Sequence, residues 1–343
     1  MVSVEEDMNR RFPRVYVGIV TYNSAVLIAR CLSAIFHQRS VDIHVVVLDN
    51  NSSDSIVSVM KRYPKRAVFI RSRVNLGFGG GHNAILRSLR LRDNDYYVAL
   101  NPDALPEPDC FAHLVRASKK HSASWVTGKL YKNTGTRVLY SVGHALQRDG
   151  YAFNIGYGIV DRGQFSAPRE VFGAPGAAAL YRGSMVRTLS VNGNFFDPEL
   201  FMYYEDVDID WRGQLHGLRC WYEPAAVISH PGGMFPRSLE AEVLANRFLC
   251  ILKNAYISDL IVYNLPRIWL HIILRIVITP AVGLGILRKM IRSSYSALRA
   301  RSSPYISKQE MHTWFLQSAK EVSKQPVKFF DRMRVFIRRL LRA

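Results

Sequence analysis

The 343-residue chain carries a formal net charge of +19 and has a pI near 10.0, and 48% of its residues are hydrophobic. This composition is typical of a folded globular protein with one large domain or two smaller ones. The positive charge predicts an anionic partner: nucleic acid, anionic lipid or a phosphorylated substrate. Four cysteines without CxxC spacing exclude a dense disulfide framework and favour a reducing compartment.

The first hundred residues alternate between strand patterns and helix patterns. Apolar runs rich in β-branched residues predict buried strands, and each run is followed by a polar turn and a helical segment. We expect strands at 15–20, 43–48, 68–72 and 96–100, and helices at 25–38, 55–63 and 83–91. This order predicts a mostly parallel sheet with helices on both faces, in which ligands bind beyond the carboxyl ends of the strands.

The second half of the chain begins less regularly. Residues 125–180 have the pattern of short antiparallel strands or of loops over an active site. A helix is predicted at 208–216, and a strand at 220–228 leads to His230.

The positive charge is concentrated in the last third. From Pro231 onward there are 19 Lys and Arg residues against 6 Asp and Glu residues. The pattern predicts helices at 240–258 and 266–279, and 325–342 repeats the mixture of basic and large apolar residues. This composition favours either a membrane-surface region or a helical domain packed on the core with a solvated basic face.

No signal peptide or membrane-spanning helix is predicted. The N-terminus is charged, and no stretch offers roughly 18 uninterrupted apolar residues. The predicted helix at 266–279 would span only about 20 Å, and Arg267, His271 and Arg275 form one polar stripe along it. We therefore expect an interfacial helix.

An acidic cluster, Glu205, Asp206, Asp208 and Asp210, stands out in this basic chain. Like charges and partial burial raise the pKa of a carboxylate, which would suit Asp206 to act as a general base. The alternative is a helix N-terminus rich in acids, which favour the helix dipole.

Three other positions carry candidate ligands. Asp103 follows a buried strand, where a carboxylate can hold a divalent cation between two phosphates, or can simply complete a turn. His230 is either a ligand or a structural residue. Asp49 is expected to bind a base or ribose, whereas Asp54 is expected to cap a helix. The glycine-rich loop at 77–81 either approaches a phosphate or is a flexible turn, and it lacks the order of a dinucleotide-binding or P-loop motif.

In combination these motifs resemble the family 2 inverting glycosyltransferases of the GT-A fold, in their rhamnosyltransferase-like branch. The resemblance extends over about residues 14–255. In chain order the motifs are Val20-Thr-Tyr-Asn23, Val47-Leu-Asp-Asn-Asn-Ser-Ser-Asp54, Asn75-Leu-Gly-Phe-Gly-Gly-Gly-His-Asn83, Leu100-Asn-Pro-Asp-Ala104, Gly176-Ala-Ala-Ala-Leu-Tyr-Arg182, Phe196-Asp-Pro-Glu-Leu-Phe201, Tyr204-Glu-Asp-Val-Asp208 and Ile228-Ser-His230.

The resemblance implies roles for individual residues. Asp206 is the implied catalytic base, and Asp103 and His230 are the implied ligands of Mg²⁺ or Mn²⁺. Glu205 and Trp211 are implied to bind the acceptor. The implied donor-binding residues are Thr21, Tyr22, Asn23, Asp49, Asn75, Gly77, Gly80, Asn83, Asn101, Asp103 and Arg212.

Two departures from the family pattern are apparent. Asn101 replaces the first acid of a DxD motif, which predicts weaker metal binding because an amide is a neutral ligand. The sequence Asp210-Trp-Arg-Gly213 is unusual in the helix after the Glu-Asp pair and has no physical explanation from the sequence.

The resemblance further implies a GT-A catalytic domain at 1–235 and a helical, membrane-associating region at 236–343. The implied reaction moves L-rhamnose from dTDP-L-rhamnose to a lipid-linked, polyprenyl-diphosphate glycan in cell-envelope polysaccharide synthesis. The enzyme would be peripheral, bound to the anionic cytoplasmic face of the cell membrane. It would have no nucleic-acid partner. A homo-oligomer formed through the C-terminal helices is a further possibility.

Three alternatives are kept. The first is a glycosyltransferase whose donor is UDP-galactofuranose or another UDP-hexose. The second is a metal-dependent nucleotidyltransferase, and the third is a non-catalytic nucleic-acid-binding protein.

Overall fold

The computed structural model describes residues 12–232, 237–301 and 303–323. The strands are β1 Arg14–Thr21, β2 Asp42–Asp49, β3 Ala67–Arg71, β4 Tyr96–Leu100, β5 Leu105–Pro106, β6 Trp125–Tyr131, β7 Leu139–Ser141, β8 His144–Leu146, β9 Ala152–Asn154, β10 Arg169–Val171, β11 Ala178–Arg182 and β12 Cys220–Ser229. The helices are α1 Ala25–Phe36, α2 Ile56–Met60, α3 Gly77–Ser88, α4 Cys110–His121, α5 Gly183–Leu189, α6 Glu205–Leu215, α7 Glu240–Asn254, α8 Ile257–Asp259, α9 Leu265–Ile278, α10 Pro280–Arg299 and α11 Lys308–Ser323.

One large mixed sheet organises the first two thirds of the chain. Its strand order is β10-β12-β6-β11-β4-β1-β2-β3, and β1 to β4 pair in parallel as predicted. Along β1, Val15, Val17 and Ile19 face one apolar core while Tyr16 faces a second core on the opposite side. This alternation confirms a mostly parallel sheet covered on both faces.

Strand β11 runs antiparallel between β4 and β6. Because of this direction, the start of β11 lies at the carboxyl end of β4, where Ala178 pairs with Leu100. The backbone N–H of Asn101 donates a hydrogen bond of 2.9 Å to the carbonyl of Ala177. The residues before β11 are therefore fixed beside the Asn-Pro-Asp segment.

The glycine-rich segment differs from its prediction as a loop. Helix α3 begins at Gly77 instead of residue 83, so the glycines form its first turns. A Cβ on Gly77 would collide with the Phe201 carbonyl, and one on Gly81 would lie 2.7 Å from the Val20 side chain. These glycines allow the helix to pack closely against β1 and against the chain before α6.

Helix α6 also begins earlier than predicted, at Glu205, and nearly all of its residues are buried. One side faces the sheet, where the absence of a Cβ at Gly213 makes room for the Trp125 ring. The other side faces the C-terminal helices, with Trp211 in an apolar core that includes Phe248 and Ile251. The helix is thus enclosed between two parts of the protein.

A buried ionic network joins α6 to α7. The Lys253 ammonium lies 2.7 Å from Asp197 and 2.9 Å from Asp208. Asp208 also accepts hydrogen bonds from Arg212 at 2.8 Å and from Asn254 at 2.9 Å. Burial alone would raise the pKa of Asp208, but the charges of Arg212 and Lys253 bring that pKa down to about 2.

The C-terminal helices correct the predicted length of the apolar helix at 266–279. Ile257–Ile278 is one helical run of 22 residues, continuous through a π-helical turn at Leu260–Asn264, with a mean hydropathy of 1.5 over its most apolar window. By length and composition alone this run is able to cross a membrane.

The polar stripe of this run does not face outward as a unit. Arg275 lies 2.9 Å from Glu240, and the His271 ring packs edge-on against Phe248. The outward face is apolar and includes Ile261, Val262, Trp269, Leu270, Ile273, Leu274 and Val277. The predicted repeat at 325–342 lies outside the described residues.

We expect Lys253→Ala to lower the free energy of unfolding by about 3–5 kcal/mol, since it leaves the buried Asp208 without one of its countercharges. Lys308→Ala is the matched control because Lys308 is partly exposed where it pairs with Asp259 at 2.9 Å. That change should cost no more than about 1 kcal/mol. Urea unfolding followed by circular dichroism measures both values, and equal losses would contradict the role of the network.

Candidate active site

Polar side chains lie together at the carboxyl ends of the parallel strands. Thr21 and Asp49 pair in register at the ends of β1 and β2, and Asn101 follows β4. The same edge receives His230 from the end of β12 and Asp206 from the first turn of α6. The sequence prediction of a common crevice at this edge agrees with this placement.

The end of β2 holds a buried carboxylate. Asp49 is fully buried, and its Oδ1 accepts the Ser52 N–H at 2.8 Å. Its Oδ2 lies 3.2 Å from Nε of Arg71, whose side chain is 58% exposed. Sequence reasoning missed Arg71, although its position at the end of β3, beside Asp49 in register, was an available signal.

The residues around this carboxylate order the loops after β1 and β2. Asn23 accepts the Ser53 N–H at 2.9 Å through Oδ1, and Tyr22 is half exposed beside it. Asp54 caps the neighbouring helix, as expected, by accepting the Ala25 N–H at 2.7 Å. Thr21 is buried, and its Oγ1 has no hydrogen-bond partner among the described residues.

Several predicted donor-binding residues are instead used inside the protein. Asn83 accepts the backbone N–H groups of Phe195 and Phe196 at 3.0 Å and donates to the Phe196 carbonyl at 2.8 Å. Asn75 accepts from the Asn50 amide and from the Gly77 N–H, which holds the start of α3. The structure therefore gives structural roles to Asn83, Asn75 and Gly77.

Gly80 belongs to the same helix, since it lies in the first turns of α3, where an added Cβ would stand 3.1 Å from the Cβ of Leu76. The predicted glycine loop is therefore helical at this position.

Asn101, Asp103 and His230 form one group at the end of β4. Nε2 of His230 lies 3.2 Å from Oδ1 of Asp103 and 3.1 Å from Nδ2 of Asn101. The His230 ring packs edge-on against Tyr140, with centroids 4.6 Å apart. Burial would raise the pKa of Asp103, but the hydrogen bond and charge of His230 bring it below its usual value.

This group fits the implied divalent metal only as a partial set of ligands. In the described ranges, no cluster of three His, Cys, Asp or Glu residues is placed to hold a metal. Asp103 and His230 supply one oxygen and one nitrogen within reach of a single ion, and Nδ1 of His230 is buried without a partner in the described part of the chain. Mg²⁺ and Mn²⁺ commonly complete such a set with phosphate oxygens and water.

Each carboxylate oxygen of Asp206 accepts a backbone hydrogen bond. Its Oδ2 accepts the Gly176 N–H at 2.8 Å and its Oδ1 accepts the Val207 N–H at 2.8 Å. Gly176 precedes Ala177, whose carbonyl binds Asn101, so two consecutive residues hold both sides of the site together. Tyr140 feels the charges of both sides: burial first, then Asp206 and Asp103, raise its pKa to about 12.

Glu205 is not available as a charged acceptor-binding group in this arrangement. It is buried, and burial together with the charge of Asp206 raises its pKa well above the usual value. Its Oε2 has no partner within the described residues. Glu205 is therefore expected to be a neutral carboxylic acid at neutral pH.

Trp211 and Arg212 do not reach the site, contrary to their predicted roles. Trp211 is 1% exposed and packs in the apolar core beneath α7. Besides its pairing with Asp208, Arg212 donates to the carbonyls of Leu189 at 2.6 Å and Phe195 at 2.7 Å. Both residues position α6 instead of contacting a substrate.

A pair that sequence reasoning did not identify lies behind Asp206. Nδ1 of His144 is 2.8 Å from Oδ2 of Asp210, and Nε2 of the same ring is 3.9 Å from Oδ2 of Asp206. Asp210 also accepts Nε1–H of Trp125 and the Ala174 N–H, each at 3.0 Å. These bonds account for the unusual acid at position 210.

Comparison with known proteins agrees with this fold. The mannosyltransferase PcManGT from Pyrobaculum calidifontis, solved with GDP-Man and Mn²⁺, superposes with a TM-score of 0.50 at 18% identity, over 91% of this chain and 85% of that one. This likeness identifies the GT-A fold.

Curated relatives are distant. Rhamnosyltransferase WbbL of Escherichia coli K12 is 26% identical over 63% of this chain and 83% of its own length, and galactofuranosyltransferase GlfT1 of Mycolicibacterium smegmatis is 24% identical over 63% and 70%. Chondroitin synthase of Escherichia coli is 23% identical over 45% of this chain, which spans only 21% of that longer protein.

The family match extends over the whole sheet region up to β11 and α5. Residues 16–190, about half of the chain, match the glycosyl transferase family 2 domain. They include Asp49, Asp103 and His144, while Asp206 and His230 follow the matched region. The protein belongs to glycosyl transferase family 2.

Proposed function

We propose that the protein is an inverting glycosyltransferase that moves a sugar from a nucleotide-sugar donor to a hydroxyl of a lipid-linked glycan. The observation that carries this proposal is the backbone segment at Gly176 and Ala177. It holds Asp206 and the Asn101–Asp103 segment on neighbouring sides of one site. A base and a diphosphate site are the two parts that a single in-line displacement requires.

In this mechanism Asp206 takes the proton of the acceptor hydroxyl. The hydroxyl oxygen attacks the anomeric carbon from the face opposite the nucleoside diphosphate, and the bond from that carbon to the phosphate oxygen breaks with its electron pair leaving on the diphosphate. The backbone bonds to Asp206 orient both of its oxygens without neutralising it. Asp103 and His230 would hold Mg²⁺ or Mn²⁺, which when bound supplies positive charge for the departing diphosphate.

The nucleoside is assigned to the edge formed by β1 to β3. The exposed guanidinium of Arg71, held 3.2 Å from the buried Asp49, is available to contact a base or ribose, and Tyr22 and Asn23 border the same edge. For the sugar, dTDP-L-rhamnose is the first choice and UDP-galactofuranose the second. The chain has similar sequence identity to a rhamnosyltransferase and to a galactofuranosyltransferase, which supports keeping both donors as candidates.

The acceptor is assigned to the surface of an anionic membrane at the cytoplasmic face. The outward apolar face of Ile257–Ile278 and the basic last third support this assignment, since apolar side chains enter lipid while cations attract its headgroups. A polyprenyl-diphosphate glycan would present its hydroxyl there. The same face is also the surface through which a homo-oligomer would form.

Asp206→Asn should reduce the rate of sugar transfer about 10²- to 10⁴-fold while leaving donor affinity unchanged, because the amide cannot accept the hydroxyl proton. Asp93→Asn, a partly exposed carboxylate paired with Arg187 outside the site, is the matched control. Nucleoside diphosphate release and donor-binding calorimetry measure the two quantities. Wild-type turnover in the Asp206 variant would refute the assignment of the base.

Asp103→Ala should weaken binding of the donor in the presence of Mn²⁺ by at least about tenfold, and the loss should match that caused by EDTA in the wild-type protein. Asp109→Asn tests a nearby exposed carboxylate that pairs only loosely with Arg39, at 3.9 Å. Isothermal titration with a panel of dTDP and UDP sugars also identifies the donor. An unchanged metal requirement in the Asp103 variant would contradict its role as a ligand.

Placing glutamates at Trp269, Ile273 and Val277 in the full chain should reduce binding to anionic vesicles more than tenfold, because the charges must enter or approach the lipid. The matched control places glutamates at the exposed Val26, Val68 and Val74 of the sheet region. Vesicle co-sedimentation at two salt concentrations measures the difference. Equal retention of both triple variants would remove this face from the membrane contact.

A further inference from the structure

His144 and Asp210 form a hydrogen-bonded pair directly beside Asp206. Asp206 and Asp210 are one turn apart on α6, and the imidazole of His144 lies between their carboxylates. The ring comes from β8, a different element with its own partner strand β9. Two separate parts of the fold therefore meet at this point.

Asp210 fixes which nitrogen of the ring faces Asp206. The Asp210 carboxylate is fully buried and accepts hydrogen bonds from Trp125, Ala174 and Nδ1–H of His144. Gly173 makes this possible, since an added Cβ there would collide with the Asp210 carboxylate. With Nδ1 committed to Asp210, Nε2 is directed at Oδ2 of Asp206, 3.9 Å away.

The surrounding charges favour a protonated ring. Burial lowers the pKa of His144, but the negative charges of Asp206 and Asp210 outweigh it, so the pKa is raised. Burial, partly offset by His144, places the pKa of Asp210 at about 6. On the far side the ring faces a small cavity that Arg169 and Glu170 of β10 help to line, and Glu170 pairs with Arg219 at 3.2 Å.

The other titratable groups around the pair are neutral at neutral pH. Burial and the charges of Asp210 and Asp206 raise the pKa of Tyr181 on β11, and burial and Asp210 raise the pKa of Cys220 on β12. Glu205 is held neutral as described above. The His144 ring is thus the group that can present positive charge directly to Asp206 within the described residues.

We propose that His144, oriented by Asp210, is a positioning residue that holds Asp206 ionised and aimed at the acceptor hydroxyl. The inference rests on the proposed role of Asp206 as the base. Asp210 opposes the ionised form of Asp206, because charge on a neighbouring carboxylate disfavours a second charge beside it. Positive charge on the His144 ring counteracts this repulsion, so Asp206 keeps the charge that a general base requires.

Two substitutions of His144 remove the ring nitrogen that faces Asp206. His144→Asn places an amide near the position of Nδ1, which keeps a donor for Asp210 but removes the nitrogen that faces Asp206. His144→Gln extends an uncharged amide toward Asp206. His216→Asn is the control, because His216 lies half buried at the far end of the same helix, against Tyr305.

Both His144 variants should shift the acidic limb of the kcat/KM profile to higher pH by about 1–2 units. The sign follows from the loss of a cation: the pKa of Asp206 rises, and the base is protonated at a pH where the wild-type base is free. Donor affinity should stay at the wild-type value, and His216→Asn should leave the limb in place. An unmoved limb in both His144 variants, with unchanged donor affinity, would overturn the proposal.

A second measurement does not depend on turnover. In histidine-labelled protein, NMR titration of the His144 ring should give a pKa above 6.5, and Asp206→Asn should lower that value. An unchanged His144 pKa in this variant would overturn the pairing even if the His144 variants unfold. If no nucleotide sugar supports transfer, the proposed function fails, while the NMR titration still decides whether His144 and Asp206 interact.

Discussion

Helix α6 carries four carboxylates into the interior of the protein, and burying a carboxylate is costly unless it is paired or neutralised. The structure solves this problem in a different way at each position. Glu205 is kept neutral, Asp206 receives two backbone N–H groups, Asp208 receives a Lys and an Arg, and Asp210 receives an indole, an amide and an imidazole. These different environments separate the chemical properties of residues that are neighbours in sequence.

This arrangement explains why the C-terminal helices matter to the site. Lys253 and Asn254 of α7 both bind Asp208, which lies two residues after Asp206. The region with the outward apolar face is thus joined through one buried ion pair to the helix that carries the proposed base. Contact with a membrane would fix the orientation of α6 as well as the location of the protein.

The local parts of the fold were predictable from the sequence. Strands β1 to β4 are continuous apolar runs, and the polar clusters after them mark the site edge because parallel strands end together. The predicted start of α3 was wrong because glycine usually disfavours helix. The glycines of its first turns are explained only by their close contacts with Phe201 and Val20. The 22-residue helical run was missed because Pro266 predicts the start of a separate helix, whereas the structure continues through a π turn before it.

Long-range pairs were the parts that the sequence did not reveal. His144 and Asp210 are 66 residues apart, and no local pattern indicates that a lone histidine after a short strand meets the helix of the base. Arg71 and Asp49 are likewise on different strands, and their pairing follows only from the register. The resemblance implied site roles for Trp211 and Arg212, although the helix directs them into the core and toward the 189–195 segment.

The asparagine at position 101 follows from the same electrostatic constraint. Asp103 is partly buried, and Nε2 of His230 lies 3.2 Å from its Oδ1 and 3.1 Å from the amide nitrogen of Asn101. A second carboxylate at position 101 would share that single partner and would repel Asp103, raising the pKa of both. The neutral amide keeps Asp103 ionised before any ligand arrives, at the cost of one negative ligand for a divalent ion. If the site binds a divalent metal as proposed, the donor diphosphate would supply most of the ligands around that metal.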